Sequence, residues 1–264
     1  MAEKLSSVEK TLAILDCFNM ERSELSLAQI CRMLGTPKST TLNQLHTLES
    51  TGYLFRSGPN LNYRLGYKIM ELNYFVHSSQ PIIRYASPIL EELKDKCGAN
   101  VYLTSHIDGK VFYVDCVYQN KRSIAWSNAG KMLPMHCTAC GKAMLSYSPD
   151  DEVNAVLERW GMPPSTEHTI TDKAKLFEEL MLCRERGYAI DNEEESVGVR
   201  CVATAVRTSA GKVAGAVSVS GAAVHMSNDI VEEYARLLIN ASAELMQYAN
   251  LFPAIQLGDA LTDC

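Results

Sequence analysis

Apolar positions recur every three to four residues along the first 50 positions and every second residue in several stretches further on, so the chain reads as a helical segment followed by a mixed one. Val8, Leu12, Leu15 and Phe18 fall on one helical face. Ser6-Ser7-Val8-Glu9 has the form of a capping box, which predicts a helix over 7–19. A second box, Ser26 to Gln29, opens a short helix with Leu27, Ile30, Cys31 and Leu34 inward, and Gly35 stops it. Thr36 as N-cap and Pro37 as first helical residue then start a third helix that runs to about Ser50. Tyr53–Arg56 and Asn62–Leu65 read as short strands about the turn Ser57-Gly58-Pro59-Asn60. Three helices with a tight turn before the third, then a hairpin, is the layout of a winged helix-turn-helix. Tyr67–Ser79, with Leu72, Phe75 and Val76 in helical pattern and Pro81 beyond, reads as a linker helix.

From Ile82 the pattern restarts. Ile82, Ile89, Leu90 and Leu93 predict a helix ending at Gly98, and Val101, Leu103, Ser105 and Ile107 alternate as a strand. Asp108-Gly109 is a strong hairpin signal leading into a strand over Val111–Tyr118, with a third strand expected around Ser123–Ser127. Helices are expected over 139–147, 150–160 and 172–186. Strands follow at Cys201–Thr208 and Lys212–Ser220, and a long helix from Ser227 to Asn250 closes the segment. The order predicts an α+β domain, an antiparallel sheet backed by helices. The expected division is residues 1–66 for the winged helix, 67–80 for the linker and 81–264 for the second domain.

Composition adds two constraints. At 264 residues, with 47% hydrophobic and 21% charged residues, the chain suits two globular cores. No apolar run reaches membrane-spanning length and the N-terminus lacks a signal-peptide core, so a cytoplasmic location and no membrane partner are expected. Nine scattered cysteines do not read as a disulfide framework. The formal charge is -6, but residues 1–66 carry seven Lys/Arg against six acids, leaving 18 against 25 for the rest. DNA binding must therefore rest on local placement of charge in the first segment.

In the third helix, Leu42, Leu45 and Leu48 fall inward and leave Lys38, Ser39, Thr40, Asn43, Gln44 and Thr47 for phosphates and base edges. Asn43 and Gln44 suit adenine, and Lys38, Ser39 and Thr40 stand at a helix start that favours phosphate. Arg56 and Arg64 on the hairpin are placed to reach an adjacent groove or the backbone. In the second domain, the N–H groups of Ala139 and Cys140 open a helix and suit a carboxylate. Ser218 and Ser220 share one strand face, and Asp191 can accept from a ligand hydroxyl or amine. Trp126 and Met135 are further candidates for the lining. A small anionic acid with a hydroxyl or keto group fits that set.

Two rival readings have thinner support. His136, Cys137 and Cys140, with Cys201, invite a metal or thiol sensor, but only one Cys-x-x-Cys is present. A small-molecule enzyme carrying the winged helix as an interaction module would need chemistry that is not apparent. Gly141-Lys142-Ala143 lacks the rest of a phosphate-binding loop, no Gly-x-Ser-x-Gly elbow occurs, and Glu193-Glu194-Glu195 reads as a solvated loop. No catalytic set, cofactor or metal site is expected.

The stretches SSVEKTLAILDCF, LSLAQICRMLGTPKSTTLNQLHTLESTGYL and YRLGYKIMEL resemble the DNA-binding domain of IclR-type regulators, as do GKMLPMHCTACGKAML, CRERGYAIDNEEESVGVRCVATAV and GAVSVSG their sensor domain. The resemblance covers about residues 6–250. It implies a GAF/profilin-like effector-binding domain in which the backbone at Ala139 and Cys140 and the side chains of Asp191, Cys201, Ser218 and Ser220 hold a small organic acid, such as a hydroxy, keto or sugar acid. It further implies a repressor or activator that works as a dimer or a dimer of dimers on double-stranded operator DNA.

Overall fold

The computed structural model describes residues 7–19, 21–59, 61–119 and 128–252 and divides into two compact units, Met1–Ser79 and Gln80–Cys264. The expected third strand at 123–127, Ser6 and Trp126 lie outside the described residues.

In the first unit, α1 (Ser7–Asp16), α2 (Leu27–Leu34) and α3 (Lys38–Ser50) precede a two-stranded wing, β1 (Leu54–Ser57) paired antiparallel with β2 (Asn62–Leu65), and then α4 (Tyr67–Ser79). The core is Ile14, Cys17, Leu25, Ile30, Leu45, Leu48, Leu54 and Tyr63, drawn from α1, α2, α3, the two wing strands and the α1–α2 connection. Both halves of the Ser26/Gln29 capping box form, and Gly35 closes α2 in the left-handed conformation that glycine adopts without steric cost. The next helix starts one residue later than expected. Pro37 is its N-cap, and the Thr36 hydroxyl bonds the Thr41 hydroxyl at 2.7 Å instead of capping. α4 buries none of its residues within this unit.

The second unit opens with α5 (Pro81–Cys97), β3 (Asn100–Ile107), β4 (Lys110–Val117) and β5 (Met132–Pro134). The helices α6 (Ala139–Leu145), α7 (Asp150–Trp160) and α8 (Lys173–Arg186) come next, then β6 (Ala189–Asn192), β7 (Val199–Arg207), β8 (Val213–Ala222) and α9 (Asn228–Leu245). The six strands form one antiparallel sheet in the order β5-β4-β3-β8-β7-β6. Asp108 and Gly109, both at positive φ, make the β3–β4 turn.

Alternation along the central strands builds two cores. Val101, Leu103, Val202, Val206, Val217 and Val219 pack under α5 and α9. The intervening residues face α6, α7 and α8, and on β7 and β8 they are small: Ala203, Ala205 and Ala216. Small side chains let α6 lie close to the sheet. Gly141 is required there, because a Cβ at that position would sit 2.2 Å from the Met135 carbonyl oxygen. β6 has no counterpart in the sequence reading, since four residues, Ala-Ile-Asp-Asn, are too short to show a period.

Candidate functional site

On α3 the residues expected to face DNA divide into two groups. Lys38, Ser39, Thr40, Asn43 and Thr47 are exposed. Gln44 is not: it is 8% exposed, with Nε2 3.5 Å from the Ser7 carbonyl of α1 and Oε1 buried without a partner. Its place on the open face is corrected by helical phase, since Gln44 lies one turn from Thr41 and Leu48, both buried. His46, passed over in the sequence, is exposed beside Asn43 and Thr47, 3.9 Å from Glu49. The wing arginines carry ion pairs. Arg56 Nε donates to Glu49 Oε1 at 2.9 Å, which ties β1 to α3, and Arg64 pairs with Glu24. Both are partly exposed.

All six residues assigned to the second domain line one cavity of about 440 Å³ on the α6 side of the sheet. α6 brings Ala139 and Cys140, whose first-turn amides have no acceptor within the helix. β8 brings Ser218 and Ser220, and β7 brings Cys201, whose thiol donates to Ser220 Oγ at 3.2 Å. β6 brings Asp191, paired in register with Cys201. Asp191 Oδ1 accepts from the Glu194 amide at 2.8 Å and from the Glu195 amide at 3.4 Å. Burial nevertheless lifts its carboxyl to about 7, the nearby Glu194 adding to the rise. Burial also raises Cys140 and Cys201, so both stand as neutral thiols rather than nucleophilic thiolates.

Several lining residues escaped the sequence reading: Asn100, Tyr102, Tyr113, Asn128, Lys131 and Glu195. Tyr102 and Tyr113 meet edge to face with centroids 5.3 Å apart. They occupy the even β3 and odd β4 positions, and only the sheet pairing reveals that these share a face. Met135 does not line this cavity; it is buried in the core beneath α6. The acidic run is not a solvated loop either. Glu194 is buried and pairs with Lys142 Nζ, which is 1% exposed and also lies 3.6 Å from Glu179. Thr166 and Thr169 hydroxyls hold the Glu194 carbonyl from outside. Cys137 turns from Cys140 and Cys201 towards Ser165, and among the described residues no three His, Cys, Asp or Glu gather as metal ligands.

Both units match known proteins. Residues 7–58 match the IclR helix-turn-helix domain, and residues 74–247 match the bacterial transcriptional regulator IclR C-terminal domain. The chain belongs to the IclR family. It is 37% identical to the HTH-type transcriptional regulator XynR of Escherichia coli over 217 residues, 82% of this chain and 86% of that one. The crystal structure of the Thermotoga maritima IclR superposes with a TM-score of 0.70 at 29% identity, over 92% of this chain and 98% of that one. An IclR homologue from Microbacterium hydrocarbonoxydans complexed with 4-hydroxybenzoate shares the fold, with a TM-score of 0.73 at 20% identity over 93% and 99% of the two chains. IclR-family proteins are DNA-binding transcription regulators, not enzymes, and this chain is one of them. Among its described residues no helix is long and apolar enough to cross a membrane.

Proposed function

We propose that this IclR-family regulator binds paired operator half-sites through α3 and the wing, and that a small hydroxylated organic acid in the sheet-side cavity alters its affinity for DNA. The observation that carries the reading is the convergence of four separate elements, β6, β7, β8 and the start of α6, on one cavity that combines hydroxyls, amides and free backbone N–H groups. Ser218 and Ser220 supply hydroxyl partners, Asp191 accepts or donates according to its protonation, and the first-turn amides of Ala139 and Cys140 suit a carboxylate. The 4-hydroxybenzoate complex of the Microbacterium homologue supports a hydroxy acid as the class.

On the DNA side, Lys38, Ser39 and Thr40 position α3 on phosphates while Asn43 and Thr47, with His46 beside them, face base edges. Arg56 and Arg64 exchange their glutamate partners for the backbone. A single helix reads too few bases for useful specificity, so two copies act together. α4 supplies the surface for that: Tyr67, Met70 and Tyr74 are 78%, 69% and 66% exposed, and Phe75 and Val76 lie open beside them. Val8 and Leu12 of α1 are similarly exposed. Covering such a patch is the ordinary way to remove apolar area from water. Phe75→Glu is expected to shift the chain towards monomer in sedimentation velocity and to weaken operator binding with it.

A ligand that distinguishes two quaternary states by about 1 to 3 kcal/mol changes operator affinity roughly 5- to 150-fold. The test is fluorescence anisotropy on DNA from just upstream of the protein's own gene, at two salt concentrations, with and without hydroxy, keto and sugar acids. Tight, salt-sensitive binding that one acid shifts is the expected result. Binding no tighter than to random DNA of equal length would count against an operator there, and no shift by any acid against the effector class.

A further inference from the structure

The six cavity residues legible in the sequence contain no base, although the proposed effector is an anion. Among the described residues that line the cavity there is one, Lys131; two acids, Asp191 and Glu195, line the same cavity. Lys131 sits just ahead of β5. Its amide donates to the Asn128 carbonyl at 2.8 Å and its carbonyl accepts from the Tyr113 amide at 3.0 Å, so its backbone is fixed against β4. Its side chain is 47% exposed, which places the ammonium where the cavity meets solvent.

The Lys131 ammonium is only loosely paired with its neighbour. Nζ lies 3.8 Å from Glu195 Oε1, beyond a direct hydrogen bond, and Glu195 Oε2 already accepts from Ser196 Oγ at 2.6 Å. Glu195 is also held through its amide to Asp191 Oδ1. An arriving carboxylate can therefore take the ammonium without leaving Glu195 stranded. With the Lys131 ammonium and the Ala139 and Cys140 amides given to one carboxylate, a second carboxylate on the same ligand would meet Glu195, with no further base among the described residues that line the cavity.

We infer that Lys131 is the charge-recognising residue of the effector cavity and that Glu195 facing it restricts the cavity to monoanions, so that the natural effector is a hydroxylated monocarboxylate rather than a neutral polyol or a dicarboxylate. This rests on the organic-acid reading above and goes beyond it by naming the charge state and the residues that select it. Lysine, a compact point charge, suits one carboxylate at a wet mouth; it is a specificity determinant and not a packing residue.

The experiment uses the full-length chain and calorimetric titration with matched probes in two series: D-gluconate, D-glucarate and D-glucitol; and 4-hydroxybenzoate, 4-hydroxyphthalate and 4-hydroxybenzamide. Wild type is expected to bind a monoanion from at least one series more tightly than its dianionic and neutral counterparts. Lys131→Gln should weaken that monoanion roughly 10- to 100-fold, the range for losing a charged hydrogen-bond partner, and leave the neutral counterpart unchanged. Glu195→Gln should narrow the gap between monoanion and dianion about tenfold. A merely structural role for Lys131 would weaken charged and neutral probes alike, and that outcome overturns the inference. Binding of a monoanion that Lys131→Gln does not weaken overturns it too while leaving the organic-acid reading intact. Failure of all six probes on wild type counts against both.

Discussion

Replacing Asp191 by Asn tests the electrostatics of the cavity without using a ligand. The carboxyl lies 3% exposed and burial raises it from the ordinary 3.8 to about 7. The raised value sets the sign. Below pH 3.8 the group is protonated in both folded and unfolded chains and costs nothing. Between 3.8 and 7 the unfolded chain releases the proton and the folded chain keeps it, so stability falls as pH rises and levels off above 7. The loss is about 1.5 kcal/mol at pH 5 and about 4 kcal/mol at pH 8, taking 1.36 kcal/mol for each pH decade. Asn does not ionise, and its Oδ1 can keep the 2.8 Å bond from the Glu194 amide. Asp191→Asn is therefore expected to gain about 2.5 kcal/mol on wild type between pH 5 and pH 8, roughly 5 to 10 °C in melting temperature for a unit of this size.

Both tryptophans, Trp126 and Trp160, belong to the second unit, so intrinsic fluorescence in urea follows that unit alone. Taking the difference between variant and wild type at each pH removes every other titrating group that both share. A difference that stays constant from pH 5 to pH 8 would refute the buried, proton-holding carboxyl. The same variant should bind the effector less well, so that a stabilising change costs function.

Two further predictions concern residues whose roles the structure redefined. Asn43→Ala should change base preference at one operator position by about 1 to 3 kcal/mol, whereas Gln44→Ala should leave base preference alone and act only on stability; competition among single-base operator variants measures both. Lys142→Ala strands the buried Glu194 carboxylate and should cost about 3 to 5 kcal/mol at neutral pH, read by urea unfolding, with Lys142→Ala/Glu194→Ala recovering part of the loss.

Helices and the long central strands were legible because their signals are local. The Ser26/Gln29 box, the Asp108-Gly109 turn and the alternation over Val101–Ile107 each lie within a few residues and need no knowledge of the rest. Face assignment was harder where one helix packs on two neighbours. α3 touches α1, α2 and β1, so its buried arc takes in Thr41 and Gln44 beside Leu45 and Leu48, polar residues that no hydrophobic period marks, while Leu42, read as inward, is only half-buried. β6 was missed for the complementary reason: an edge strand of four residues is defined by its partner, here β7, and not by its own pattern.

The cavity shows where such reading ends. Asp191, Ser218 and Ser220 are readable from the residues and Cys201 only from the family resemblance, and their convergence comes from a register that pairs Asp191 with Cys201 and Cys201 with Ser220 across three strands. The same pairing logic puts Tyr102 opposite Ser218, so one row across the sheet carries an aromatic wall and a hydroxyl side by side. Charge follows a different rule. Lys131 and Glu195 stand in connections, 64 positions apart, and come within 3.8 Å only because the sheet brings the start of β5 and the β6–β7 turn to one mouth. On the proposed reading, most residues that would hold the body of a ligand lie on strands, while Lys131 and Glu195, assigned to its charge, sit in loops where periodicity is silent. Loops can change without disturbing the sheet, so regulators built on this frame can alter the charge they select while keeping the pocket that holds it.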